Sequence, residues 1–439
     1  MIYDKIKALN KIPLHVPGHK RNTAFLGNKL PYDIDITEIE GFDNLHYPKG
    51  ILSELNQKIN SLYSAKSSYA LVNGSTVGIL AAIFSTVNEG DKVLIARNCH
   101  KSVYNALQIA KASAEYILPE FDEYGIAKGI SSEQVKQKLT NDIKLIVITS
   151  PTYEGVESDV ESICKLAHKH NIPVLVDAAH GAHLFKNYHC SDIVIRSLHK
   201  TLPALTQCAA SNIYGDLIDC KKFEIALSVF ETSSPSYVLL SSIDECIDFI
   251  NNNQNAFKDY YALLNDFYGI KLKHLKILKY DDLGKIIVFT GYSNISGFEL
   301  ADLLRNKYNI EIEMAAPDYI VAVTSICDTK NTFDSFKSAL QAIDIQLDKN
   351  DFSLNIPAYI PQKRCDSCNA GKESEAKSLD ECFGRVSSEY IWAYPPGIPL
   401  IVPGEIFDKK LIEYLKTNSI CNFQSTFGEF PEKIYCEKV

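Results

Sequence analysis

The chain has 439 residues, of which 46% are apolar and 23% charged, a composition that supplies material for a substantial core and excludes disorder as the default. Its length suggests two or three structural units. The formal charge of −9 argues against a nucleic-acid binder, which needs a basic surface to displace counterions from phosphates, while an acidic excess is compatible with small cationic substrates.

Residues 1–20 carry Lys5, Lys7, Pro13, His15 and Pro17 and no apolar stretch of the kind a secretion signal needs. No uncharged apolar run reaches membrane-spanning length, so a cytoplasmic protein without a membrane partner is expected, and the twelve cysteines read as reduced thiols. Residues 1–35, with the turn-like HVPGHKRN, read as an arm or short preliminary segment. From about residue 50 the pattern becomes regular. ILSELNQKINSLYS has helical spacing, SYALVN reads as a strand, STVGILAAIFSTV as a buried helix, DKVLIA as a strand and KSVYNALQIAKA as a helix. AEYIL, IKLIVITS, IPVLVDA, SDIVIRS and ASNIYG continue as short apolar strands, with helices expected near 131–140 and 159–170. Strands apolar on both faces that alternate with helices imply a parallel or mixed sheet covered on both sides. A helix over 241–267 closes this region. GKIIVFTG, SGFELADLLRNKYN, DYIVAVTS and TFDSFKSALQAIDIQL then suggest a smaller α+β unit, followed by irregular chain over 351–383 and a last helix in FDKKLIEYLKTN. The division expected is an arm at 1–35, a large domain at 36–265 and one or more small C-terminal domains at 266–439.

In a sheet covered by helices, ligands collect at the carboxyl ends of the strands. Five successive strand ends here carry polar, titratable or glycine-rich loops: Asn73-Gly74-Ser75-Thr76, Arg97-Asn98-Cys99-His100, Thr149-Ser150-Pro151-Thr152-Tyr153, Asp177-Ala178-Ala179-His180-Gly181-Ala182-His183, and Ser197-Leu198-His199-Lys200. That coincidence points to an active site. NGST is either a plain helix start or an anion cradle, because a helix N-terminus offers free amides to both. Asp177, ending an apolar run, is either a cap or a buried carboxylate awaiting a partner. His180 and His183 are spaced as a turn and lack the glutamate of a zinc-hydrolase motif, so no metal is expected. Cys365 and Cys368, with Cys382, are one pair short of a usual zinc site and read as an exposed reduced loop. Lys200 beside these loops fits a Schiff-base lysine, which a partly desolvated pocket holds deprotonated. Pyridoxal phosphate would use every loop at once: a cradle for its phosphate, an acid for its ring nitrogen and packing on its faces.

The motifs resemble the fold-type-I pyridoxal-phosphate enzymes, and among them the ornithine/lysine/arginine decarboxylase family in its shorter Gram-positive form. PLHVPGHKRN, DITEIEGFDNLHYPKG, LVNGSTVGILAAI, GDKVLIARNCHKSVYNAL, SPTYEGV, VLVDAAHGAHL, SLHKTLPALTQ and YPPGIPLIVPGE occur in that family's order across residues 13 to 405. The resemblance implies an aspartate-aminotransferase-like large domain with a mainly parallel seven-stranded sheet, and a smaller C-terminal α+β domain. It implies that Lys200 carries the cofactor by a Schiff base, that Asp177 pairs with the ring nitrogen, and that His100 stacks on one face with Ala179 on the other and His180 nearby. Ser75, Thr76 and the Gly74 amide would hold the phosphate, helped by Ser197 and His199. His199 or Lys200 would return the proton to Cα. PGHK and YPPG…PGE look like entrance segments, with Glu405 a candidate contact for the substrate side chain. Ala178 departs from the acidic residue usual there, which would alter hydrogen bonding around Asp177, and SLHK replaces the commoner STHK. The activity implied is decarboxylation of arginine, lysine or ornithine in polyamine metabolism. The extra N-terminal domain of the large members has no counterpart, so a homodimer with sites near the subunit interface is expected. An aminotransferase or lyase of the same fold is the alternative, for which Arg305, Arg364 or Arg385 would grip the substrate carboxylate.

Overall fold

The computed structural model describes residues 1–185, 187–353, 359–371, 373–393, 398–417 and 423–438. Seven strands build the main sheet: β1 (Ser67–Leu71), β2 (Lys92–Ala96), β3 (Ser113–Ile117), β4 (Ile143–Thr149), β5 (Val174–Asp177), β6 (Ile193–Arg196) and β7 (Ala209–Ile213). Their order is β1-β7-β6-β5-β4-β2-β3. β2 through β6 pair in parallel, and β7 runs antiparallel to both β6 and β1. The sheet is therefore mixed and mainly parallel.

Alternate residues along each strand serve opposite faces, and both faces are apolar because both are covered. Val93, Ile95, Leu145, Val147, Leu175, Ile193 and Ile195 pack under helices Gly74–Thr86, Lys101–Ala110 and Cys220–Phe230. Their neighbours Leu94, Ile146, Ile148, Val174, Val176 and Val194 face helices Ser132–Lys138 and Val160–His168. At the β1–β7 edge, Ala70, Val72 and Ala210 meet helices Ile51–Tyr63 and Tyr237–Asn252. Gly78 lets the 74–86 helix lie close to the sheet, since a Cβ there would stand 2.8 Å from Leu71 Cδ1 and 3.0 Å from Ile195 Cγ2.

A second, antiparallel sheet follows, ordered β10-β11-β9-β8, from β8 (Lys276–Leu278), β9 (Lys285–Phe289), β10 (Met314–Ala315) and β11 (Tyr319–Val323). Helices Gln254–Phe267, Gly297–Tyr308 and Lys330–Asp344 share its core. The end of the chain adds a three-stranded sheet, β14 (Ile398–Ile401), β13 (Ile391–Ala393), β15 (Phe423–Ser425), and a pair, β12 (Ser374–Lys377) with β16 (Ile434–Glu437).

Three local expectations need correction. Residues 1–35 include a helix, Ile2–Lys7, whose Ile2 and Ile6 are fully buried against the 237–252 helix; six residues are too few to display a period. The expected helix over 241–267 is two helices broken at Asn253, whose side-chain amide donates to the Phe249 carbonyl at 2.8 Å and so ends the first one. The region read as irregular contains β12, which has no apolar alternation because it is a polar strand paired only with β16.

Candidate active site

The carboxyl ends of β1, β2, β4, β5 and β6 converge on one cavity of about 440 Å³. Ser75, Asn98, His100, Thr149, Asp177, Ala179, His180 and Lys200 line it, so all five of the strand-end loops contribute to one cavity. Lys200 stands on the short helix Leu198–Thr201 that follows β6. Its Nζ lies 2.9 Å from His180 Nε2. Burial lowers the Lys200 pKa, and Lys285 adds to that while Asp177 and Glu313 oppose it. An amine placed this way is readier to be a nucleophile than a solvated lysine.

His180 is buried, and desolvation followed by the Lys200 charge pushes its pKa well below the ordinary histidine value. Its ring is therefore neutral. Its Nε2 meets the lysine amine, while Nδ1 is buried and has no protein partner among the described residues. His100 caps the 101–110 helix, its Nδ1 accepting from the Ser102 amide at 3.2 Å, which leaves the proton on Nε2. Burial, then Lys200 and Lys101, lower its pKa to about 4. Asp177 ends β5 with only 3% exposure, and Oδ1 accepts from the Ala179 amide at 3.1 Å. Burial raises its pKa against the pull of Lys200, as expected of a carboxylate still short of a close cation.

The phosphate cradle takes a different form from the one the motif suggests. Gly74 adopts φ +76°, and its amide already donates to the Gln207 carbonyl at 2.9 Å, so it is not free for an anion. The Ser75 and Thr76 amides have no partner among the described hydrogen bonds and head a helix of 13 residues. Ser75 lines the cavity; Thr76 stands outside it, exposed. Ser197 is fully buried and acts from behind, donating from Oγ to Ser75 Oγ at 2.8 Å. His199 also lies outside the lining, its Nδ1 3.0 Å from the Cys208 carbonyl.

Glu405 is not at the cavity. Both of its carboxylate oxygens receive Arg97 guanidinium N–H groups at 2.8 Å, and the Val402 amide donates to Oε2 at 2.9 Å. Ala178 is fully buried in the apolar cluster with Ile146, Val176 and Val194, so its side chain has no polar route to Asp177. His180 and His183 turn to separate partners, His183 Nε2 lying 3.1 Å from Asp282 Oδ1. The Cys382 thiol faces Cys436 Sγ at 3.6 Å. Pro17–Lys20 do not line the cavity, and Tyr394–Gly397 of the other entrance segment lie outside the described residues, although Ile398 does line it.

A family model for the major domain of Orn/Lys/Arg decarboxylases matches residues 7–263, and one for their C-terminal domain matches residues 346–435. The chain belongs to this decarboxylase family. It is 31% identical over 453 residues to the arginine decarboxylase of Bacillus subtilis, covering 93% of this chain and 90% of the relative. The arginine decarboxylase of Bacillus anthracis is 30% identical over 447 residues, with 93% and 90% covered. The crystal structure of a Francisella novicida lysine decarboxylase superposes with a TM-score of 0.82 over 99% of this chain and 80% of that one, at 16% identity, a likeness in fold. The architecture is accordingly that of the fold-type-I enzymes.

Within this decarboxylase the cavity has a further wall, of which only Thr152 belongs to the strand-end loops. Glu154, Glu313, Thr152 and Ile79 line it. Glu154 is buried, accepts from Tyr319 Oη at 3.1 Å, and has its pKa raised by burial. Glu313 accepts a hydrogen bond from Tyr153 Oη, whose ring packs on His180 at 4.6 Å between centroids. Glu154 sits inside SPTYEGV, where the motif itself was the signal; Glu313 precedes β10 in the second sheet, where nothing in the sequence ties it to β4.

Proposed function

We propose that this decarboxylase removes the α-carboxylate of arginine, releasing agmatine and CO₂ with uptake of one proton, and that it uses pyridoxal phosphate. The observation that carries the reading is Lys200, a partly buried amine beside a neutral imidazole, in a cavity it shares with the Asp177 carboxylate and whose described lining includes two further acids and no arginine. Arginine heads the three candidate substrates because the Bacillus relatives named for it align along 93% of the chain. Lysine and ornithine are the alternatives. An aminotransferase needs a cation for the carboxylate it keeps, and here Arg305 is occupied by Glu311 and Arg385 by Glu375, while neither these nor Arg364 is among the described residues lining the cavity.

The residues present fit the cofactor. Lys200 Nζ would hold its carbonyl carbon, Asp177 its ring nitrogen, His100 and Ala179 its two faces, and the Ser75 amide and hydroxyl with the Thr76 amide its phosphate. When bound, the cofactor supplies an electron sink for the pair left on Cα as CO₂ departs. Asp177, with its unfilled buried carboxylate, would keep a proton on the ring nitrogen and so keep that sink electron-poor. His100 and His180 stay uncharged, which spares the site a competing cation beside the ring. With the cofactor bound, Lys200 Nζ would yield its place to the substrate amine and would then be the group to return a proton to Cα, with His180 Nε2 in hydrogen-bond reach to exchange it. His199, turned to Cys208, is left to positioning.

A homodimer belongs to the same reading. Ile12, Leu14 and Phe25 are 85%, 91% and 85% exposed on the segment that carries the PGHK motif, an apolar surface suited to a second copy of the chain. Agmatine production would place the protein in polyamine metabolism. Purified protein supplied with pyridoxal phosphate should release CO₂ from arginine, and Lys200→Ala should abolish both that release and the cofactor's visible absorbance. Transfer of the amino group to a keto acid without CO₂ release would overturn the reading in favour of an aminotransferase.

A further inference from the structure

One carboxylate on the cavity wall has a geometry that the chemistry of the cofactor does not use. Glu313 lies at the mouth, exposed at the surface yet lining the cavity, and its described partner is the Tyr153 hydroxyl rather than a cation. Its backbone is fixed, because the Glu313 amide donates to the Val321 carbonyl at 3.1 Å on the neighbouring strand β11. Tyr153 is held in turn by its ring contact with His180, the residue that meets Lys200. The order across the cavity is thus Lys200, His180, Tyr153, Glu313: amine, neutral ring, phenol, carboxylate. Glu313 and Lys200 line the same cavity, and the Glu313 carboxylate contributes to the Coulombic field felt at Lys200.

Glu154, the other acid on this wall, is a poorer match for a cation. Its Oε1 already accepts from Tyr319, and burial favours its neutral form.

We infer that Glu313, aligned by Tyr153, is the specificity-determining residue that receives the distal cationic group of the substrate. This rests on the proposed decarboxylation of a basic amino acid, and it deepens that proposal by assigning the end of the molecule remote from the reaction. A guanidinium presents parallel N–H donors, and the Glu313 carboxylate together with the Tyr153 phenol oxygen offers matching acceptors. The residue comes from the second sheet while Lys200 comes from the first, so the packing of the two units sets the length of substrate that spans them.

The test compares arginine with citrulline, its uncharged isostere, in the holoenzyme. Wild-type protein should prefer arginine strongly. Glu313→Gln should lower kcat/KM for arginine about 10- to 100-fold, the worth of a hydrogen bond to a charged group, and leave citrulline unchanged or improved. Tyr153→Phe should lower arginine turnover less, mostly through KM. Agmatine binding by calorimetry should weaken by the same factor in Glu313→Gln, and the visible cofactor spectrum should stay as in the wild type. Equal loss on arginine and citrulline, or unchanged discrimination, would overturn the inference while leaving the decarboxylase reading intact. Wild-type protein that releases CO₂ from none of arginine, lysine and ornithine would overturn both.

Discussion

Glu405→Gln separates a structural acid from a substrate contact. The Arg97 and Glu405 side chains are 5% and 0% exposed, and two N–H···O bonds of 2.8 Å join the end of β2 to the C-terminal strands. Burial pushes the Glu405 carboxyl up, and the guanidinium, which cannot shed its proton, pulls it back towards the charged form. The amide keeps the shape and removes the charge, leaving a buried Arg97 with no anionic partner among the described residues, beside the Leu400 carbonyl at 3.3 Å and the Tyr116 ring at 4.8 Å. Breaking one side of a buried pair costs about 3–5 kcal/mol, a factor of roughly 10² to 10⁴ in the local opening equilibrium. The sole tryptophan, Trp392, reports on the right place, since it lies on β13 of the C-terminal unit with Lys101 of the large sheet's helix over its ring at 5.7 Å. Urea titration followed by Trp392 fluorescence should show an earlier transition in Glu405→Gln. The double change Arg97→Met with Glu405→Leu should recover most of the loss, because no charge is then left stranded. An unmoved Trp392 transition together with a tenfold higher KM for arginine would refute the structural assignment and return Glu405 to the substrate.

Glu231 is 6% exposed, and burial pushes its carboxyl up to about 7 although the Val72 amide donates to it at 2.8 Å. The folded chain holds this proton more tightly than the unfolded one, so stability should decline by about 3 kcal/mol as pH rises from 4.5 to 7 and level off above; Glu231→Gln should flatten that slope in unfolding midpoints measured across the range. His100 has the opposite sense: with its folded pKa lowered to about 4, stability is whole above pH 6.5 and is lost as pH falls towards 4, by up to about 3 kcal/mol. His100→Phe apoprotein should lack that acid-side loss in the same measurement. Asp177→Asn should keep the fold and bind pyridoxal phosphate but lose at least about 10³-fold in kcat, since the amide cannot hold a proton on the ring nitrogen; near-normal turnover would remove Asp177 from that role.

What the sequence discloses depends on how local the cause is. Each strand of the main sheet is an apolar run because both its faces are covered, and the polar residues that follow it stand at the carboxyl end wherever the strand sits in the order. Lys200, Asp177, His100 and Ser75 could therefore be assigned to one cavity before any strand pairing was known. Their partners are not local in that sense. Gly74 loses its amide to Gln207 because β7 returns antiparallel beside β1, and the motif NGST carries no trace of that pairing. Glu405 sits in a conspicuous motif, yet its role is fixed by Arg97, 308 residues earlier, and an acid that pairs with arginine is indistinguishable in sequence from one that waits for a substrate. Glu313 is the converse case: an ordinary acid in an alternating polar stretch, drawn to the cavity because the second sheet docks where Tyr153 can reach it. The chemistry at Cα is thus written in strand-end motifs that any packing of the units would preserve. If Glu313 receives the far end of the substrate, that end is read by a contact between units, and selectivity can drift by small changes in docking while Lys200 and Asp177 stay fixed.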